Sequence, residues 1–146
     1  MRMKRSGRVS LVLILAIAAV VAALALFLLA GESPRGVAGQ FLTALAKGDA
    51  KTLAELSYME GQTPEQIESK WKDTYAYSKY WIFAYMIKDV RDLDKDNSTV
   101  TLGWVKNATK ESSYEEKFEL PMVRKDGKWK VDVRAMSREM YPYLPE

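Results

Sequence analysis

The chain has 146 residues, with 22 Lys and Arg against 19 Asp and Glu, no Cys and no His. Without Cys there is no disulfide framework, thiol nucleophile, Cys-type zinc site, iron–sulfur cluster or lipidated cysteine anchor. Without His there is no imidazole base, no His-based triad and no haem or zinc ligation of the usual kind, so no cofactor and no metal site is expected. The net charge of +3 comes from one place: residues 1–8 carry Arg2, Lys4, Arg5 and Arg8 and no acid. The remainder holds 18 basic and 19 acidic residues, interspersed along the chain. A nucleic-acid partner needs a basic patch on the folded body, and this body offers none.

Residues 9–30, VSLVLILAIAAVVAALALFLLA, are uncharged, and Ser10 is the only polar one. At 1.5 Å per residue such a helix is about 33 Å long, enough for a hydrocarbon core of about 30 Å. A buried soluble helix of this length normally shows a polar face, and this one has none. The segment is therefore expected to be a transmembrane helix. The rival reading is a cleaved signal peptide, but the apolar run exceeds the usual h-region and the small-residue cleavage pattern before Glu32 is poor. The basic flank puts residues 1–8 in the cytoplasm and residues 31–146 on the outer or periplasmic side of the inner membrane. Ala16, Ala19, Ala23 and Ala30 offer a close-packing face for a partner helix in an integral membrane protein.

Of the 4 Trp, 8 Tyr and 4 Phe, all but Phe27 lie after residue 32, which suits one well-packed domain. No flexible linker separates it from the span. Ser33-Pro34 reads as an N-cap with a first-turn proline; Val37, Phe41, Leu42 and Leu45 then share a face, and Gly48 is the stop. Asp49 caps a short second helix with Leu53 and Leu56, which Gly61 breaks. Thr63-Pro64-Glu65-Gln66 is a capping box, and Ile67, Trp71 and Tyr75 follow on one face of a third helix to about Ser78. Strands follow. Residues 81–90 are an apolar run giving way to alternation, and Asp94 to Asn97 form a turn. Val100, Leu102 and Trp104 share one parity, and 107–113 is a polar loop. Tyr114, Phe118, Leu120 and Met122 share another, with Pro121 pointing to an edge or bulge. Asp126-Gly127 is a hairpin turn, after which Trp129, Val131 and Val133 share a face. The predicted fold class is α+β: an N-terminal transmembrane helix, then about three helices on a curved antiparallel sheet of about four strands. Residues 31–134 form the domain and 135–146 a tail.

The stretch PRGVAGQFLTALAKGDAKTLAELS, the aromatic third helix and the closing MVRKDGKWKVDV resemble the nuclear-transport-factor-2-like, cystatin-like cone superfamily, and in particular its small membrane-anchored bacterial members of unknown function. The resemblance covers about 35–134. It implies a helix-lined, sheet-walled cone, often with a pocket and often a homodimer. It carries no catalytic residue onto this chain.

Enzymes on this cone commonly use a His–Asp pair, which is impossible here, or an Asp base with Tyr and a protonated acid. For the latter, Tyr75, Tyr77, Tyr80 and Tyr85 are available with Asp73 and Asp89; the chemistry needs a carboxylate raised by an apolar pocket. Asp94 to Asn97 resembles the start of a calcium loop but lacks its glycine and its final Glu. Trp71, Tyr75, Trp81, Phe83, Trp104, Phe118 and Trp129 either line a pocket for an apolar ligand or fill the cone as its core. Met136, Met140, Tyr141, Tyr143 and Leu144 lie beyond the last predicted strand and either fold back or dock on a partner. The leading expectation is an anchored extracytoplasmic interaction domain, an accessory or structural subunit of a membrane protein assembly rather than an enzyme. The alternative is a small-ligand module in the cone.

Overall fold

Two units divide the chain, Met1–Gly31 and Glu32–Glu146. The computed structural model describes residues 6–29, 33–109, 111 and 113–146. In the first unit α1 runs Ser6–Leu29, with side chains described for residues 10–24. Those 10–24 side chains are exposed on every face. The transmembrane helix expected over residues 9–30 is not shown: among the described residues no helix is long and apolar enough to cross a membrane, and residues 9 and 25–30 lie outside those whose side chains are described. Arg2, Lys4, Arg5 and Ala30 lie outside the described residues.

In the second unit the caps sit where local chemistry puts them. Helix α2 is Pro34–Lys47; the Ser33 hydroxyl accepts from the Gly36 N–H at 3.1 Å, and Gly48 closes the helix at φ 70°. The Tyr75 ring lies where a Cβ on Gly48 would stand, so that position needs glycine twice over. Helix α3 is Ala50–Leu56, capped by Asp49, whose carboxylate accepts from the Thr52 hydroxyl at 2.7 Å and its N–H at 3.2 Å. The Thr52 hydroxyl, then its N–H, holds that carboxyl below its ordinary value. Helix α4 is Pro64–Ser78, with both bonds of the Thr63–Gln66 capping box present.

The sheet has five strands rather than the four expected, in the order β1-β5-β4-β3-β2. They are β1 (Ser57–Tyr58), β2 (Phe83–Asp92), β3 (Asn97–Lys106), β4 (Glu115–Lys125) and β5 (Lys128–Asp132). The added strand, β1, is two residues long and pairs parallel with β5, Ser57 with Val131 and Tyr58 with Asp132. No pattern of alternation fits into two residues, which is why the sequence hides it. The rest of the sheet is antiparallel.

Alternation places Val100, Leu102, Trp104, Leu120, Met122, Trp129 and Val131 on the inner face, all buried. A bulge between Ile87 and Asp89 resets the parity of β2, so Ile87 and Val90 both face inward. This explains an apolar run that changes period midway. β5 pairs with β4 only from Met122 to Lys125, so Pro121 falls where β4 has no β5 neighbour and its missing N–H interrupts no bond on that side. Asp126 (φ 53°) and Gly127 (φ 75°) make the tight turn. Asn97-Ser98-Thr99 opens β3, with Ser98 and Thr99 buried, so this segment is not an exposed loop.

Of the two courses open to the tail, folding back is the one the structure shows. Met136, Met140, Tyr141 and Leu144 are 5%, 0%, 2% and 5% exposed and belong to the same core as α2 and the sheet. Residues 135–146 are thus part of the domain rather than a separate tail, and four of the five apolar side chains offered for a partner or for folding back are covered by their own chain. Only Tyr143 keeps an exposed ring. The reason is area: the cone's inner face extends beyond what three helices cover, and burying the tail removes both apolar surfaces from water.

Candidate functional site

The candidate site is the interior of the cone. Helix α2 crosses the inner face and ties to the edge strand: the Thr43 hydroxyl donates to the Gly39 carbonyl at 2.8 Å, leaving its oxygen to accept from the Tyr85 hydroxyl at 3.1 Å. Six of the seven aromatics proposed for the interior occupy three places. On the helical side, fully buried Trp71 meets Phe41 edge to face at 5.8 Å, and its indole N–H donates to the buried Ser57 hydroxyl at 3.0 Å. Near the β4–β5 hairpin, Trp129 lies under the Arg124 guanidinium at 4.7 Å. Tyr75 is partly exposed over Gly48 and joins neither group.

At the mouth, Phe83 stacks on Trp104 at 4.4 Å with 14° between the rings, and the tail completes the nest. Tyr141 stands edge-on to Phe83 at 6.2 Å, and Tyr143 edge-on to Trp81 at 5.9 Å. Half-buried Phe118 carries the Lys106 ammonium 5.6 Å above its ring, and Lys106 in turn pairs with Glu116 at 3.5 Å. The Tyr141 hydroxyl donates to the Ser78 hydroxyl at 2.6 Å in a buried contact. Burial raises the Tyr141 phenol above its ordinary value; the Ser78 bond opposes this, and the neighbouring Tyr143 and Tyr75 add to it. Among the described residues two donors are left over: the indole N–H groups of Trp81 and Trp104 are buried with no hydrogen-bond partner.

The structure finds Tyr141, Tyr143 and Ser78 at the site, which the sequence reading did not place there. A signal existed: five apolar side chains after the last strand need a surface, and an aromatic-walled cone offers one.

The surface hollows lie elsewhere. One, of about 540 Å³, runs along α2 and is lined by Arg35, Gly39, Gln40, Thr43, Lys47 and Asp49 among others. Another, of about 350 Å³, lies on the outer sheet face between Lys88, Asp89, Thr101, Glu115 and Lys117. There the Lys88–Glu115 ion pair, at 2.8 Å, occupies the space a side chain at Gly103 would need. Neither hollow is lined by the predicted aromatics. Asp73 and Asp89 are exposed, so neither has the apolar surroundings a catalytic carboxyl requires. Tyr77 and Tyr80 are 79% and 82% exposed. Among the described residues no cluster of acids could hold a metal. Of the helix-face alanines, Ala16, Ala19 and Ala23 are exposed on α1.

Solved structures similar to this chain include NTF2-like and cystatin-like proteins. An NTF2-like protein of unknown function from Shewanella oneidensis is 14% identical, with 65% of this chain and 88% of that one covered and a TM-score of 0.46. A domain of unknown function with a cystatin-like fold from Nostoc punctiforme is 10% identical, covering 67% and 70%, with a TM-score of 0.49. A ketosteroid isomerase-like protein from Erwinia carotovora atroseptica is 15% identical, covering 66% and 86%, with a TM-score of 0.44. No protein-family model and no curated protein matches the chain.

Proposed function

We propose that this chain is a single-pass membrane-anchored interaction domain, held by α1 with residues 1–8 in the cytoplasm and the cone on the outer face of the inner membrane. The observation that carries the reading is the surface of α1. Leu11, Val12, Leu13, Ile14, Leu15, Ile17, Val20, Val21 and Leu24 are each between 56% and 66% exposed, around the whole helix. An apolar surface of that extent belongs in lipid or against a partner. Anchoring confines the domain to the membrane plane and raises its effective concentration near other membrane proteins. The partner is an integral membrane protein or assembly, or a second copy of the chain, met through the face bearing Ala16, Ala19 and Ala23.

Alkaline carbonate washing is expected to leave the chain in the membrane fraction, and protease added to spheroplasts to digest the cone while sparing residues 1–8. Release by carbonate, or protection of the cone, overturns the reading. Filling the small-residue face with Ala16→Leu, Ala19→Leu and Ala23→Leu keeps the anchor and is expected to abolish co-purification of the partner after gentle detergent extraction.

A second reading, a binding module for a small apolar ligand, is favoured by one observation: the two unpartnered indole donors in the aromatic mouth of the cone. Buried polar groups are normally satisfied, and apolar walls with a few convergent polar groups are the usual chemistry of a ligand site.

A further inference from the structure

We infer that residues 137–146 are a displaceable plug. The space they fill is the site for a flat, uncharged, apolar molecule bearing a hydrogen-bond acceptor. The inference rests on the second reading above and adds what gates it. Regular structure ends with the short 3-10 turn Val133–Ala135, and no helix or strand follows. Yet Met140, Tyr141 and Leu144 are as buried as the central strand.

The way the plug is held sets it apart from the rest of the core. Among the described residues, no backbone-to-backbone hydrogen bond joins 137–146 to the remainder of the domain; the Tyr141 N–H bonds within the segment, to the Ser137 carbonyl. The ties to the cone are side-chain ones: Tyr141 to Ser78 at 2.6 Å, and the Lys70 ammonium to the Glu146 carbonyl at 2.6 Å. Arg138 spends its guanidinium within the segment, on the Leu144 carbonyl at 3.1 Å. The plug can therefore leave without breaking a single ladder bond of the sheet; what opposes its opening is the burial of its own side chains, so it can open as a unit separate from the sheet.

Its departure uncovers Phe83, already stacked on fully buried Trp104, and Trp81 beside Tyr143. Trp81, so uncovered, brings an indole N–H that has no acceptor in the closed state, and the Trp104 indole beneath Phe83 has none either among the described residues. Tyr141 and Tyr143 supply aromatic edges to this nest but satisfy neither donor. A planar ligand with a carbonyl replaces the rings and also accepts a hydrogen bond. The closed form competes with that ligand, so apparent affinity scales with the fraction of open chains.

The test uses the full chain in detergent micelles, with 2-acetylnaphthalene as probe and all variants at the same detergent concentration. Hydrogen exchange reads the gate, and the indole ¹⁵N–H resonances of Trp81 and Trp104 read the site. The amides of 137–146 are expected to exchange far faster than those of β3. Ser78→Ala, which removes the buried polar tie, is expected to tighten probe binding about fivefold while leaving exchange in β3 unchanged. Tail amides protected as strongly as β3, or a probe affinity that Ser78→Ala leaves untouched, overturns the plug. Indole resonances that stay fixed under saturating probe in the Ser78→Ala chain overturn the ligand site and the second reading with it, whatever the exchange shows.

Discussion

β3 and the C-terminal segment are equally hidden from water and differently held. Val100, Leu102 and Trp104 on β3 are all 0% exposed, and Met140, Tyr141 and Leu144 come within 5% of that. β3 is laddered on both sides, to β2 and to β4, over nearly its whole length. Among the described residues, 137–146 are hydrogen-bonded to the rest of the domain through side chains alone. Apolar area decides what is inside; backbone pairing decides what must open together. A residue's burial therefore predicts how much its loss costs only after one knows which cooperative unit it sits in.

The sharpest way to break this comparison is to cut one side chain in each region. Trp104→Ala is expected to cost about 3–5 kcal/mol in chemical unfolding of the domain, a large share of a typical stability of about 5–15 kcal/mol. Met140→Ala, though just as buried, is expected to cost about 2–3 kcal/mol, because its effect saturates once the segment opens on its own. Equal losses would put the segment inside the main cooperative unit. Tyr141→Phe is expected to cost about 1 kcal/mol through the Ser78 bond and to speed exchange in 137–146 without changing it in β3.

Alkaline pH sharpens the same contrast. The Tyr141 phenol sits above its ordinary value of 10.0, chiefly through burial. It holds its proton more tightly in the fold than in the open chain. Its contribution is complete below pH 10 and falls away as pH rises past the folded value. Exchange or proteolysis at the segment should rise in that window before the sheet loses its circular dichroism signal, and Tyr141→Phe should remove the early phase. The smallest effect is expected on the outer face: Lys128→Ala should change stability by at most about 0.5 kcal/mol. A larger loss there would mean that β5 presents the opposite face to the core.

The sequence alone determined the features whose causes lie within a turn or two of chain. Ser33, Asp49 and the Thr63–Gln66 box cap their helices through bonds three residues long. Gly48 and Asp126-Gly127 take positive φ where they were expected to. Strand parity from Val100 to Val131 follows period two, so Trp104 and Trp129 could be placed inside before any contact was known. The cone resemblance lay in the same local signatures.

The remaining features depend on groups far apart in the chain. A two-residue strand becomes β1 because Ser57 and Tyr58 meet Val131 and Asp132, a pairing with no local period to announce it. One alternation reads as two because a bulge near Lys88 resets it. The aromatic set divides among three places because Trp71, Trp104 and Trp129 each answer to a different neighbour: Ser57, Phe83 and Arg124. The apolar tail was legible as a surface needing cover, and its composition suited a partner as well as its own domain. Folding chose the domain because Ser78, 63 residues upstream of Tyr141, presents a buried hydroxyl beside an aromatic nest open at that end. Hydrophobic attraction carries no address; the address comes from the geometry of the surface already built.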